Sequence, residues 1–286
     1  MARAQRFRRA VQGVAALVQN ANIPGFLAGT VYDGASKAVC VPGLNCHACP
    51  GALGACPLGM LQQGLSAHSF KFPSYVVGLL IFFGALLGRA VCGFLCPFGL
   101  LQDVLHRVPF SRKVNTFKGD KPLRKLKYLV LLVLVVAIPL GVKLTPAFCT
   151  YVCPSGTLAG LLLMASDSAL FQLVDALFSW KLAVLVLIVL LAIMVSRPFC
   201  KYLCPLGALY APFNKVALVR MSIDSSACTS CGNCSAVCKM GVDPTLDPNN
   251  LECIRCGACI DACEQQALRY DRLVKSQRVD AEDHEA

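Results

Sequence analysis

Cys92-Gly93-Phe94-Leu95-Cys96-Pro97 closes a run of apolar residues, and the arrangement returns as Cys149-Thr150-Tyr151-Val152-Cys153-Pro154 and Cys200-Lys201-Tyr202-Leu203-Cys204-Pro205. Each copy follows a stretch of membrane length. Two cysteines four positions apart fall on one helical face, where their sulfurs can grip one metal centre, and the proline stops the helix where that centre must fit. Such repetition implies metal held at the membrane surfaces.

The surrounding composition agrees. Of 286 residues 56% are hydrophobic and 15% charged, and the mean hydropathy is +0.60, which argues against a soluble globule. Ser74 to Val91, Tyr128 to Leu144 with a kink expected at Pro139, and Trp180 to Ser196 each approach the roughly 20 residues that cross hydrocarbon. Val11 to Val31 is a fourth candidate, weakened by Gln12, Gln19, Asn20 and Asn22; its alternative is an amphipathic helix lying on the surface. Basic residues decide for crossing. Arg3, Arg6, Arg8 and Arg9, and then Arg107, Arg112, Lys113, Lys118, Lys121, Arg124 and Lys125, lie in segments expected on the cytoplasmic side, while Tyr32 to Pro73 and Lys143 to Lys181 are poor in Lys and Arg. Four spans with both termini cytoplasmic satisfy this bias. The net charge of +11 is then a sorting signal rather than a nucleic-acid footprint. Thr157 to Ser179 reads as a short interfacial helix, and no cleavable signal peptide is expected.

Beyond Met221 the composition changes, and two runs follow: Cys228-x2-Cys231-x2-Cys234-x3-Cys238 and Cys253-x2-Cys256-x2-Cys259-x3-Cys263. These resemble the bacterial two-cluster ferredoxins, in which the fourth cysteine of each run ligates the other cluster. The resemblance implies one [4Fe-4S] cluster on Cys228, Cys231, Cys234 and Cys263, and another on Cys253, Cys256, Cys259 and Cys238. Zinc would call for paired spacings, and disulfides are uncommon in the cytoplasm. The proline usual after the fourth cysteine is replaced by Lys239 and Glu264, which bears on the potentials of the clusters rather than their occupancy.

On the expected topology Cys92, Cys96, Cys200 and Cys204 meet at the cytoplasmic face and hold a third cluster. Cys149 and Cys153 end at the opposite face. Their partners must come from Cys40…Cys46-His47-Ala48-Cys49-Pro50…Cys56-Pro57-Leu58-Gly59, where Cys56-Pro-Leu-Gly-Met-Leu-Gln repeats Cys96-Pro-Phe-Gly-Leu-Leu-Gln with Ala52 in place of a leading cysteine. Cys49 and Cys56 are the expected ligands, and the chain reads as two related helical hairpins. Four clusters use 16 of the 18 cysteines, leaving Cys40 and Cys46; these form a disulfide, or Cys46 replaces Cys49. His47 reads as a solvated loop residue, and the absence of histidine from the spans argues against a buried bis-histidine haem.

The whole pattern resembles the membrane quinol-dehydrogenase subunits of periplasmic nitrate reductase systems, and more broadly the polyferredoxin-like membrane proteins with Cys-x3-Cys-Pro motifs. Departures are the extra Cys149/Cys153 copy and the Cys46/Cys49/Cys56 loop. The resemblance implies electron transfer between quinone or quinol and a partner oxidoreductase or a soluble ferredoxin-like carrier, in the cytoplasmic membrane. The expectation is an α-helical integral membrane protein with four transmembrane helices over residues 1–220, a C-terminal α+β two-cluster ferredoxin-like domain over 221–271 and a polar tail over 272–286. A redox sensor or a maturation factor for a metalloenzyme is the alternative; a metal-ion transporter would need ionisable groups within the spans. A span of 18 residues such as Ser74 to Val91 is about 27 Å long, so a wire between opposite faces would require a bound quinone, a haem in a partner subunit or clusters recessed into the bundle, of which a quinone between the helices is the expected one. Asp103 and His106 read as a solvated helix end.

Overall fold

A computed structural model of the chain describes residues 3–66, 73–110, 113–114, 116–117, 119–142, 146–166 and 175–272; the expected polar tail from 273 onward and His68 lie outside them, and Arg272, expected to begin the tail, ends a strand. Helices dominate. The order is α1 (Arg3–Gln19), α2 (Ile23–Ala28), α3 (Pro57–Ser66), α4 (Ser74–Leu87), α5 (Ala90–Phe94), α6 (Pro97–Leu105), α7 (Asp120–Leu123), α8 (Leu126–Val130), α9 (Ile138–Val142), α10 (Ala147–Tyr151), α11 (Pro154–Ser166), α12 (Ala176–Met194), α13 (Pro198–Tyr202) and α14 (Pro205–Tyr210). A π-helical segment, Leu131–Ala137, joins α8 to α9. Pro139 has no N–H to return to the preceding turn, and the backbone widens just ahead of it.

Two of the expected spans are broken, while Trp180 to Ser196 falls largely on α12 and Tyr128 to Leu144 on the continuous run from α8 through α9. Only α12, at 19 residues, is both long and apolar enough to cross a bilayer among the described residues, with α4 and Pro154–Ala165 as shorter apolar helices. Gly88, at φ +54°, ends α4 and turns the chain into α5, so Ser74 to Val91 is not one helix. Val11 to Val31 is likewise split between α1 and α2. The first helix is inverted relative to a helix in water: Arg8 and Gln12 are buried, whereas Phe7, Val14, Leu17 and Val18 face outward. The polar face turns inward because it has partners there. Arg8 donates to the carbonyl of Gly93, Gln12 to that of Cys96 and Gln19 to that of Leu95, which satisfies buried backbone acceptors around α5.

The C-terminal unit pairs β1 (Val219–Ile223) with β2 (Leu268–Arg272) antiparallel, Val219 opposite Arg272 and Ile223 opposite Leu268. Between them lie α15 (Asn233–Ala236) and α16 (Ala258–Ala262). Its two cysteine runs have the same backbone path, with left-handed Ser230 and Gly232 in the first matched by Arg255 and Gly257 in the second. This unit is seated on the helices through polar contacts. Arg255 donates to the carbonyls of Leu87 and Asn214, Asn214 donates to those of Asn250 and Cys253, and the Asp261 carboxylate accepts from the N–H groups of Ala4 and Gln5.

Candidate metal centres

The Cys-Pro pairs do not lie on single helices. Cys92 and Cys200 sit in α5 and α13, while Cys96 and Cys204 are the N-cap residues of α6 and α14, whose first residue is the following proline. Proline therefore starts a helix instead of stopping one, a position where its missing N–H costs nothing. In every copy the amide of the glycine three residues on points at the capping sulfur: Gly59 at Cys56, Gly99 at Cys96, Gly156 at Cys153 and Gly207 at Cys204. A helix N-terminus thus favours each thiolate. The glycine also leaves room, since a Cβ on Gly156 would come within 3.9 Å of both Cys153 Sγ and Cys46 Sγ.

Cys92, Cys96, Cys200 and Cys204 line one cavity together with Pro42, Leu44, Phe98 and Phe199. Around the second site, Cys149 and Cys153 interact electrostatically with Cys46 and Cys56. Cys49, expected there, lies beside Cys46, with which it interacts. Cys40 forms a backbone bridge with Ala55, and the turn from Cys46 to Cys49 lies near Lys37, with Cys49 lining a cavity shared with Asn45 and Ser155. Cys40 and Cys46 are both free thiols, so they are not joined as a disulfide. His47 is exposed, in line with its reading as a loop residue.

The two sites are built alike. The Gln62 carboxamide donates to Cys149 Sγ (3.3 Å) and accepts from the Phe148 amide (3.0 Å); that of Gln102 donates to Cys200 Sγ (3.2 Å) and accepts from the Phe199 amide (3.2 Å). Each glutamine stands six residues after a capping cysteine. Arg89 and Arg197, each three residues before a cysteine pair, cross over: Arg197 donates to the Cys92 carbonyl and Arg89 to the Cys200 carbonyl.

These sites are neighbours, which corrects the expectation of clusters at opposite faces about 27 Å apart. The amide of Leu44 points at Cys96 Sγ and the next amide, that of Asn45, points at Cys56 Sγ. One residue of chain spans at most about 3.6 Å, so the two sulfurs lie within roughly 12 Å. Tyr210, buried, senses Cys92, Cys96 and Cys56 together, and its hydroxyl donates to the Pro42 carbonyl. The loop over residues 40–46 folds back into the bundle because small Gly43 lets it approach, its Cβ position standing 2.9 Å from the Cys96 Cα.

In the C-terminal unit Cys228, Cys231, Cys234 and Cys263 line one cavity. Cys253, Cys256, Cys259 and Cys238 form another mutually interacting group. Among the described residues no three His, Cys, Asp or Glu side chains converge on a single metal ion, as mononuclear zinc would require. Four sulfurs spread around a cavity, with amides and glycines facing it, fit a polynuclear [4Fe-4S] group.

Two buried carboxylates hold the cations near the Cys92 site. Asp103 accepts from Arg8 (2.8 Å) and, in a fork, from Arg197 (3.0 and 2.7 Å), with Lys239 at 3.6 Å. Burial would push its pKa up, but Arg197, Lys239 and Arg8 outweigh burial and hold it well below the usual carboxylate range. Asp103 is thus no solvated helix end, while half-buried His106 lies against the Ala192 carbonyl. Glu252 accepts from Arg89 and Lys127, which likewise overcome its burial and lower its pKa. From sequence, the charges of Arg89, Arg197 and Lys201 are expected to favour a reduced cluster, whereas no role is expected of either glutamine or of Glu252. The only available signal was Gln62 and Gln102 recurring at one place in the repeat.

Comparison with known proteins places these residues. A family described as 4Fe-4S binding domain matches at residues 54–75, 74–116, 127–167 and 177–223, and a 4Fe-4S dicluster domain matches at 220–264. The first four matches take in each helix-end site and cover more than half the chain. Among relatives, an uncharacterized protein of Methanocaldococcus jannaschii is 29% identical over 67% of this chain and 68% of its own. The ferredoxin-type protein NapH of Haemophilus influenzae is 27% identical over 73% of this chain and 72% of its own. The methylamine utilization ferredoxin-type protein MauN of Paracoccus denitrificans is 30% identical over 64% and 60% respectively. No solved structure matches. With cysteine sites of the right chemistry under every matched segment, the chain belongs to the 4Fe-4S binding domain family and is a ferredoxin-type electron-transfer protein related to NapH and MauN.

Proposed function

We propose that this chain is a multi-pass membrane protein carrying electrons between the quinone pool and a partner oxidoreductase or ferredoxin-like carrier, through four [4Fe-4S] clusters held in series. The observation that carries the reading is the succession of cysteine sites without a long gap. Cys228, Cys231, Cys234 and Cys263 would hold the outermost cluster and Cys253, Cys256, Cys259 and Cys238 the next. Cys92, Cys96, Cys200 and Cys204 would hold the third, and Cys46, Cys56, Cys149 and Cys153 the fourth. Cys234 and Cys259 share one small core, Asn214 joins the backbone of Cys253 to that of Arg89, and the Leu44–Asn45 segment touches the last two sites.

Bound [4Fe-4S] clusters supply one-electron redox chemistry. The chain's own residues hold them and set their surroundings: cations on Asp103 and Glu252 favour added negative charge near the Cys92 site, and the glutamines donate to sulfur. Placement in a membrane is supported by the outward apolar residues of α1, by Ile81 and Phe82 of α4, by Leu129 and Leu132, and by Val186, Leu187 and Leu190 of α12. Together these make a lipid-facing surface. Both termini would lie in the cytoplasm, with the C-terminal unit beneath the helices.

The test is low-temperature electron paramagnetic resonance on anaerobically prepared protein, as isolated, after a quinol and after dithionite. Reduced-cluster signals appearing with quinol support the reading. Signals appearing with dithionite alone would sink quinol oxidation and favour a redox sensor or a low-potential carrier.

A further inference from the structure

A second cavity, of about 230 Å³, opens between the two helix-end sites and the outer surface of the helices. Its inner wall is the Leu44–Asn45 segment with Pro97, Phe98 and Ser155, and its mouth is flanked by Phe26 (40% exposed) and Leu162 (39% exposed). Three features select its occupant. The walls are largely apolar, the polar side chains lining it are those of Asn20, Asn45, Cys49 and Ser155, and the mouth is apolar on a protein whose outward helix faces are apolar. A planar apolar ring with hydrogen-bonding oxygens meets all three conditions. The position matters as much as the lining. Asn45 lines this cavity, its carboxamide donating to the Gln19 carbonyl, while its backbone amide points at Cys56. Pro97 directly follows Cys96 in the chain, and Ser155 comes two residues after Cys153.

We propose that this cavity binds the ring of a quinone, entering from lipid past Phe26 and Leu162. The inference rests on the quinone-linked reading above and adds where the quinone sits. It places the ring beside both helix-end sites at once, in place of the expected position between two distant ones. Leu158 and Ala159 line the cavity on α11, with Cys49 among the other lining residues, so a larger side chain on α11 fills it without replacing any cysteine.

The test is photolabelling of the full-length, cluster-loaded protein in nanodiscs with an azido-benzoquinone carrying a decyl tail, followed by peptide mapping. The expected label falls within residues 40–50 and 154–162, is displaced by excess unlabelled decylbenzoquinone, and drops at least about tenfold in Leu158→Trp. Dithionite-reduced spectra matching wild type certify that the variant is folded; if they do not match, Ala159→Leu serves in its place. Displaceable label mapping to other segments would overturn this cavity while leaving the quinone-linked reading standing. No displaceable label anywhere would overturn both.

Discussion

Gly93 lies directly against the carbonyl of Ile254: a Cβ added there would stand 2.5 Å from that oxygen. Gly93 separates Cys92 from Cys96, and Ile254 follows Cys253. The other two repeats carry Thr150 and Lys201 at this place, so the glycine belongs to the seating of the C-terminal unit and not to the repeat. Gly93→Val should push the two surfaces apart at a cost of about 1–3 kcal/mol. Faster proteolysis after residue 216 and weakened magnetic interaction between the Cys253 and Cys92 sites are expected, with iron content unchanged.

Gln62 and Gln102 supply a matched pair of experiments. Hydrogen bonds to sulfur raise a cluster's reduction potential. Gln102→Leu should lower the potential of the Cys92 site alone, and Gln62→Leu that of the Cys149 site alone. Each also strands a buried amide, that of Phe199 or Phe148, at about 1–3 kcal/mol of stability. Potentiometric titration followed by paramagnetic resonance reads both shifts; movement of both sites in either variant would refute the assignment.

Asp103 sets a pH dependence with a definite sign. Its carboxyl titrates lower in the folded protein than the roughly 3.9 of an unfolded chain. The stabilisation is therefore present above about pH 4 and is lost as pH falls through the folded value. Asp103→Asn leaves Arg8 and Arg197 buried without a counter-ion, which should cost about 3–5 kcal/mol near neutrality. The stability gap between wild type and variant, measured by chemical denaturation, should narrow in acid; a gap constant with pH would contradict this role.

Cys46 and Cys49 separate by metal content. Cys46→Ser should lose one cluster's iron and sulfide, while Cys49→Ser should keep all of it, because Cys46 is the loop thiol that interacts with Cys149 and Cys153. The reverse outcome would restore Cys49 as the ligand.

Much of this was legible in the chain. The ferredoxin runs carry fixed spacings, and they fold into two groups whose fourth members are exchanged. The pairing of the Cys56 copy with Cys149, and of Cys96 with Cys200, followed from the repeat. What was not legible depends on long-range burial. Hydropathy cannot tell that Arg8 and Gln12 face inward, because their partners lie in α5 and α6, more than 80 residues away. Spacing of four suggested one helix for each cysteine pair, although Cys-Pro-x-Gly is equally a helix start. The return of the loop at Gly43 into the bundle has no periodic signal at all, and the distance between the sites turned on it.

That distance is open to direct measurement. With Cys228→Ser and Cys253→Ser removing the C-terminal clusters, the dithionite-reduced protein would retain only the Cys92 and Cys149 sites, and its low-temperature paramagnetic resonance reports whether they interact. Adjacent sites give a spectrum split and broadened by spin coupling, which collapses to a single uncoupled signal in a further Cys46→Ser variant. Two independent, unbroadened signals before that change would put the sites at separate faces and contradict a continuous series.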